Sequence, residues 1–238
     1  MRKITIYIFL FAWSLLPKAY SMDAMEYFNL GIENGMTCKK INYFSQALEL
    51  NPSLAEAYEK RGMLYYFQEK YELMIQDFQR FIEFVPTKAS AFRMLGIGYL
   101  KTGLYQQAVS NFTRAIKLEP EFTGAYSSRA EAYRIIGMYN QSIHDATTAI
   151  RIGGDEPTLS EAYRIRYKAY WKIGKGEKAY ADLRESWRLN PRVWKIWRND
   201  GSMVNYPEYT KKFGLFYLIG IAAALIFKPK FKPPEKDE

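Results

Sequence analysis

One cysteine and one histidine are all that the 238 residues contain. Cys38 alone excludes an intramolecular disulfide, and no lipoprotein-type cysteine stands directly after the amino-terminal apolar run. Cys38 and His144 together cannot build a His/Cys zinc site, which needs four such ligands. A histidine-based dyad would have to use His144, and its neighbour Asp145 points away from it on a helix. Gly96-Ile97-Gly98 has the look of a dinucleotide loop, but no strand precedes it. Carboxylates are plentiful, yet nothing in the sequence closes a pocket around any two of them. The chain reads as a non-enzyme that needs no cofactor and no metal.

Long uncharged apolar runs are confined to the two ends. At the start, Arg2 and Lys3 precede the run Ile4 to Leu16, Pro17 breaks it, and Ala19-Tyr20-Ser21 offers small residues before Met22. That is the pattern of a signal peptide over residues 1–21; an uncleaved anchor or a buried first helix are the alternatives. Near the other end, residues 213–227 carry no charge and are bracketed by Lys211-Lys212 and by Lys228, Lys230 and Lys232. As a helix this run spans about 22 Å, short of the ~30 Å hydrocarbon core, but flanking lysines can snorkel. It has no wet face, which a helix capping a soluble core would show. The expectation is a transmembrane helix at 213–227 followed by a basic, proline-containing tail at 228–238. The repeats would then stand on the extracytoplasmic side, which is the periplasm if the source is bacterial.

Between the ends lies a fixed period. Pro52, Pro86 and Pro120 are 34 residues apart, and each closes a similar six-residue phrase. Gly154 takes the proline's place one period later, and after three extra residues a fifth phrase ends at Pro191. A period of this length denotes stacked small units, none able to bury its apolar face alone. In the third unit Phe92, Leu95, Gly96 and Tyr99 share one helical face; Gly103 breaks that helix, and Ala108, Phe112 and Ala115 form the face of the next. The 20 tyrosines and 15 phenylalanines fall largely at such repeating positions, so they read as packing between helices.

An aromatic, Leu-Gly, Tyr, Ala, Phe and a closing Pro, in this order and spacing, resemble the tetratricopeptide repeat family. The resemblance covers residues 24–191 and implies an all-α solenoid of helix–turn–helix units. Five repeats are counted within 22–191, the first irregular, with its first helix about three residues short. Arg61 replaces the leucine of the second unit and Met74 its small residue. Tyr167 occupies the close-approach site of the fifth, which is therefore expected to splay. Residues 192–212 read as a short capping helix, with Trp197 at the next aromatic position, and a linker.

In the family, alternate residues of the first helices line a concave groove. Carried onto matching positions, the resemblance implies a protein-binding surface of Glu59, Met63, Tyr66, Phe67, Arg93, Ile97, Leu100, Lys101, Glu131, Arg134, Arg164, Lys168, Trp171 and Lys172. It runs from acidic-aromatic to basic-aromatic. Residues 22–163 hold 14 basic and 17 acidic side chains, and residues 164–212 hold 13 and 5, so the basic part adjoins the apolar run at 213–227. These features suggest a membrane-anchored scaffold or adaptor gripping a protein segment that carries apolar and acidic residues, with homo-oligomerisation also open. A soluble exported assembly factor of chaperone type is the alternative. A nucleic-acid binder is a weaker one, because no basic stripe runs the whole array.

Overall fold

The structure, a computed structural model, describes residues 22–190. The signal-like segment 1–21, the expected cap and linker 192–212, the apolar run 213–227 and the tail 228–238 lie outside the described residues. No described helix is long and apolar enough to cross a membrane.

The described residues form ten α-helices in five antiparallel pairs: α1 (Ala24–Glu33) with α2 (Thr37–Leu50), α3 (Ala55–Phe67) with α4 (Tyr71–Phe84), α5 (Ala89–Lys101) with α6 (Tyr105–Leu118), α7 (Thr123–Ile135) with α8 (Tyr139–Ile152), and α9 (Glu156–Lys172) with α10 (Gly176–Leu189). α1 has 10 residues where α3, α5 and α7 have 13, as the truncated first unit predicts. The three extra residues before the fifth unit are absorbed as an added amino-terminal turn of α9. Asp155 caps that turn by accepting from the backbone N–H of Thr158 at 3.0 Å, and Pro157 lies within the turn, where its missing donor costs nothing.

Units are held apart by small residues. Ala57, Ala91, Ala125 and Ala162 have no more than 1% of their surface exposed. The first three lie where a first helix meets the second helix of the unit before: Ala57 clusters with Ala47 and Leu48, Ala91 with Phe81, and Ala125 with Ala115. Within a unit the crossing point is filled by complementary pairs. A Cβ on Gly96 would come within 2.6 Å of Phe112, and one on Gly31 equally close to Phe44. The fourth unit meets Ala130 with Ala146 instead, and the fifth sets Leu183 at the phenylalanine position opposite Tyr167. The expected splaying therefore does not occur: α9 packs along α10 as fully as any other pair, with Ala169, Ala179 and Leu183 buried. The larger first-helix residue is accommodated by a smaller second-helix one.

Each first helix from α3 onward ends in the same turn. The backbone N–H groups of Lys70, Leu104, Met138 and Lys175 donate to the carbonyls of Tyr65, Tyr99, Tyr133 and Tyr170 at 2.8 to 2.9 Å. The turn requires a left-handed residue, supplied by Gly103, Gly137 and Gly174 and, in the second unit, by Glu69 at φ 58°. Glutamate there costs about 1–2 kcal/mol that glycine avoids.

A polar clamp recurs in three units and was not anticipated from the sequence. Arg61 donates to both carboxylate oxygens of Asp77 (2.9 and 2.7 Å), Arg129 to Asp145 (2.6 and 2.9 Å) and Arg166 to Asp182 (2.8 and 2.7 Å). Each guanidinium lies between two tyrosine rings of its own helix, as Arg129 does between Tyr126 and Tyr133 at 5.7 and 5.8 Å. Its remaining Nη1 reaches the preceding unit: Arg61 to Ser45 at 2.9 Å, Arg129 to Thr113 and Arg166 to Thr147 at 3.0 Å. The third unit has Leu95 and Asn111 at the clamp positions, and Gln79 donates to the Tyr99 hydroxyl in place of the inter-unit bond. The two solutions predict strong non-additivity. Asp145→Asn alone leaves a half-buried arginine uncompensated and should cost about 3 kcal/mol or more. Adding Arg129→Leu, which copies the third unit, should recover most of that loss. Urea denaturation of the four members of this mutant cycle measures the coupling.

Candidate functional site

Successive first helices touch one another, α5 with α7 and α7 with α9, whereas no two described second helices pack to that extent. Over units 3 to 5 the array therefore curves with its first helices inside, and the residues expected to line the groove all come from first helices. Their environments differ along it.

At the amino-terminal end the groove is largely committed to internal contacts. Glu59 accepts from Lys88 of the next unit at 2.6 Å. Met63, Tyr66 and Ile97 are half-buried against the core of units 2 and 3, and Leu100 against that of units 3 and 4. Phe67 lies edge-on to Tyr66, ring centres 5.5 Å apart, and is 70% exposed. Arg93 is not a free ligand. Its Nε donates to the Gly124 carbonyl at 3.1 Å and to Ser128 Oγ at 3.3 Å, and its guanidinium lies over Phe122. It straps the third unit to the fourth, and burial pulls it below the usual arginine range. Lys101 is exposed.

At the other end, units 4 and 5 bring five charged groups together. Arg134 donates to both oxygens of Glu131 at 2.7 and 2.9 Å. Arg164 pairs with Glu161 on its own helix, its Nε at 2.6 Å, and approaches Glu131 of the fourth unit at 4.0 Å. Burial alone would raise the Glu131 carboxyl. The bonds from Arg134, with the charges of Arg134, Arg164 and Lys168, outweigh burial and hold it below its ordinary value. Lys168 stands one turn beyond Arg164, half-buried, and among the described residues no carboxylate forms an ion pair with it. Burial, then the charge of Arg164, pulls its ammonium below the ordinary lysine value of 10.5; Arg134 adds to this, and Glu131 and Glu161 offset only part. Trp171 follows at the rim, 37% exposed, and Lys172 is exposed beside it. The cluster holds three cations against two carboxylates, with the surplus charge partly withdrawn from water.

Other candidate chemistry is sparse. His144 is exposed on α8, while Asp145 turns inward to Arg129, so the two form no dyad. Among the described residues no group of three His, Cys, Asp or Glu is placed to hold a metal ion. An open cleft of about 820 Å³ on the second-helix side of units 2 and 3 is lined in part by Arg61, Asp77, Leu95 and Asn111; its buried charges are those of the clamp.

Lys168 predicts a pH signature. Its folded-state pKa is lowered, so below that value the charged lysine opposes folding, and the penalty fades as pH rises toward 10.5, where the unfolded chain also loses the proton. Lys168→Met should therefore raise the melting temperature at neutral pH, by an amount that shrinks with rising pH. Thermal melts of both proteins across the alkaline range test this; an advantage independent of pH would mean that only packing had changed.

Comparison with known proteins agrees with this architecture. A tetratricopeptide repeat model matches residues 55–86 and 93–122, the second and third units. Comparison with curated proteins gives no match. Among solved structures, a crystal structure of the MamA protein is 22% identical, with 72% of this chain and 94% of that one covered and a TM-score of 0.63. A MamA fragment from Desulfovibrio magneticus RS-1 is 15% identical over 73% and 98%, with a TM-score of 0.64. YrrB, described as a TPR protein with an unusual peptide-binding site, is 22% identical over 71% and 88%, with a TM-score of 0.59. At these identities the likeness establishes the fold. Residues 55–86 and 93–122 match the tetratricopeptide repeat model, the other three described helix pairs are built in the same way, and the described array has the tetratricopeptide repeat fold.

Proposed function

We propose that this chain is an adaptor, exported and held at a membrane by residues 213–227, that grips an extended or helical segment of a partner protein in its first-helix groove. The observation that carries the reading is the cluster of units 4 and 5. Lys168 is an ammonium with no ion-pair partner among the described residues, half-withdrawn from water and set on its helix between Arg164 and Trp171. A cation so placed gains most from a carboxylate delivered by a partner, and the adjacent indole offers an apolar anchor. The matching segment carries an acidic residue one or two positions from an apolar one. The peptide-binding site ascribed to YrrB supports peptide recognition by this fold. The amino-terminal half of the groove, already tied by Glu59–Lys88 and Arg93–Gly124, serves as a fixed wall.

A photo-crosslinking amino acid at position 171, introduced into the full chain in native membranes, should capture a partner whose cross-linked peptide contains such an acidic-apolar pair. Against that peptide, Trp171→Ala should cost about 2 kcal/mol, on the order of thirtyfold in affinity and chiefly in dissociation rate. Lys172→Glu, an exposed rim charge, should instead slow association, most strongly at low salt. Capture of segments without acidic residues, or a Trp171→Ala variant that melts earlier yet binds unchanged, removes the assignment.

Export and anchoring rest on the pattern of the two ends and have their own test. Protease added to the outside of spheroplasts, or of sealed vesicles of known sidedness, should digest the repeats and spare the tail beyond Lys228. Ile219→Arg with Ala223→Arg should release the protein from the membrane, each arginine costing about 2.5–3.5 kcal/mol near the bilayer centre. Release of the unaltered protein by a carbonate wash excludes the anchor.

A further inference from the structure

Antiparallel pairs stacked in one direction put every first-to-second-helix turn on one edge of the array and every unit-to-unit junction on the other. In units 3 to 5 the two edges differ in kind. The turn edge, residues 101–106, 135–140 and 172–178, exposes Leu104, Ile135 and Met138 at 44%, 39% and 38%. Its charged side chains are Lys101, Lys172, Lys175 and Lys178 against Glu177, all exposed. The junction edge, residues 117–123 and 151–156, carries Glu119, Glu121, Asp155 and Glu156 against Lys117 and Arg151, and Leu118 is its one large exposed apolar residue. The apolar residues of the turn edge are not needed to form the turns, which are closed by backbone bonds and glycine. A polar residue would serve there: the second unit has Lys70 where the third has Leu104 and the fourth Met138.

Apolar tips ringed by lysines, with acidic side chains gathered on the opposite edge, match the chemistry of a membrane interface. Aliphatic tips enter the headgroup region while ammonium groups meet lipid phosphates. A protein partner could cover the same apolar tips, but the charge difference between edges favours an extended anionic surface over a single complementary patch. We propose that the turn edge of units 3 to 5 docks on an anionic lipid bilayer, with Leu104, Ile135 and Met138 at the headgroup level and the four lysines against lipid phosphates. This docking would lay the array along the membrane with the Trp171 end of the groove beside the lipid surface. It does not depend on where residues 213–227 reside or on what the groove binds.

The test uses the full chain with Cys38→Ser, bearing a spin label at Met138→Cys or Lys175→Cys on the turn edge, or at Glu121→Cys on the junction edge. Each protein is reconstituted in vesicles of phosphatidylglycerol and phosphatidylcholine, and in phosphatidylcholine alone. On the anionic vesicles the label at 138 should collide more with lipid-dissolved oxygen than with a water-soluble nickel complex, and the label at 175 should lose access to the nickel complex. The label at 121 should stay aqueous on both. Lys175→Gln with Lys178→Gln in the protein labelled at 138 should lower the docked-to-undocked ratio about fivefold per lysine. Three outcomes overturn the proposal: turn-edge labels open to water on anionic vesicles, protection equal on phosphatidylcholine alone, or protection at 138 present without lipid, which would mean that protein covers the edge.

Discussion

Everything in this array follows from how closely one unit can lie on the next. Ala57, Ala91 and Ala125 set that distance because each is buried where a first helix meets the second helix behind it. A larger side chain at any of them would have to displace a packed neighbour, since interiors of native density leave no spare volume. Small residues here bring successive first helices into contact, and that contact forms an inner surface. It also places Glu131 of one unit within reach of Arg164 of the next. The charge cluster is therefore a product of stacking distance as much as of composition.

Polar and apolar contacts divide the labour between units. Apolar burial joins unit 2 to unit 3, where Met74, Phe78, Phe81 and Leu95 form one continuous cluster. The joint between units 4 and 5 is leaner in apolar bulk, with Ala130, Ala146 and Ile165, and is supplemented by Arg166 to Thr147 and by Arg164 near Glu131. Hydrogen bonds of this kind contribute little net free energy, but leaving the groups unpaired would be costly. They hold register between units as much as they add stability.

The repeat was legible because packing demands recur: the same close approach in each unit calls for the same small residue, so the 34-residue spacing survives in the sequence. The clamp was equally periodic and still went unread. Its signal is Tyr-x-x-Arg-x-x-x-Tyr followed by Asp 16 residues after the arginine, in units 2, 4 and 5, but Arg61 looked like a lapse from a leucine pattern when viewed alone. Tyr167 misled for a related reason: the compensating Leu183 lies on the other helix, and a motif read position by position does not register a paired change. The added turn of α9 was readable in Asp155 and Pro157, a cap followed by a residue suited to a helix start. For the expected groove, family positions named first-helix residues but not the ties among them. Glu59 to Lys88 and Arg93 to Gly124 span 29 and 31 residues, and whether long side chains meet across that separation depends on rotamers that no local pattern encodes.

The third unit's replacement of Arg and Asp by Leu95 and Asn111 has a consequence for how the protein responds to heat and cold. Apolar contacts weaken on cooling, whereas the cost of desolvating an ion pair falls on warming. Both kinds of clamp therefore gain on warming from the cold, the apolar one through stronger hydrophobic attraction and the ionic ones through a smaller desolvation cost. Here an apolar clamp sits between units held by buried ion pairs, and each unit is stabilised partly by its neighbours. Beyond the temperature at which apolar contacts stop gaining, the ion-paired neighbours still gain, so the third unit is held from both sides where its own clamp has levelled off.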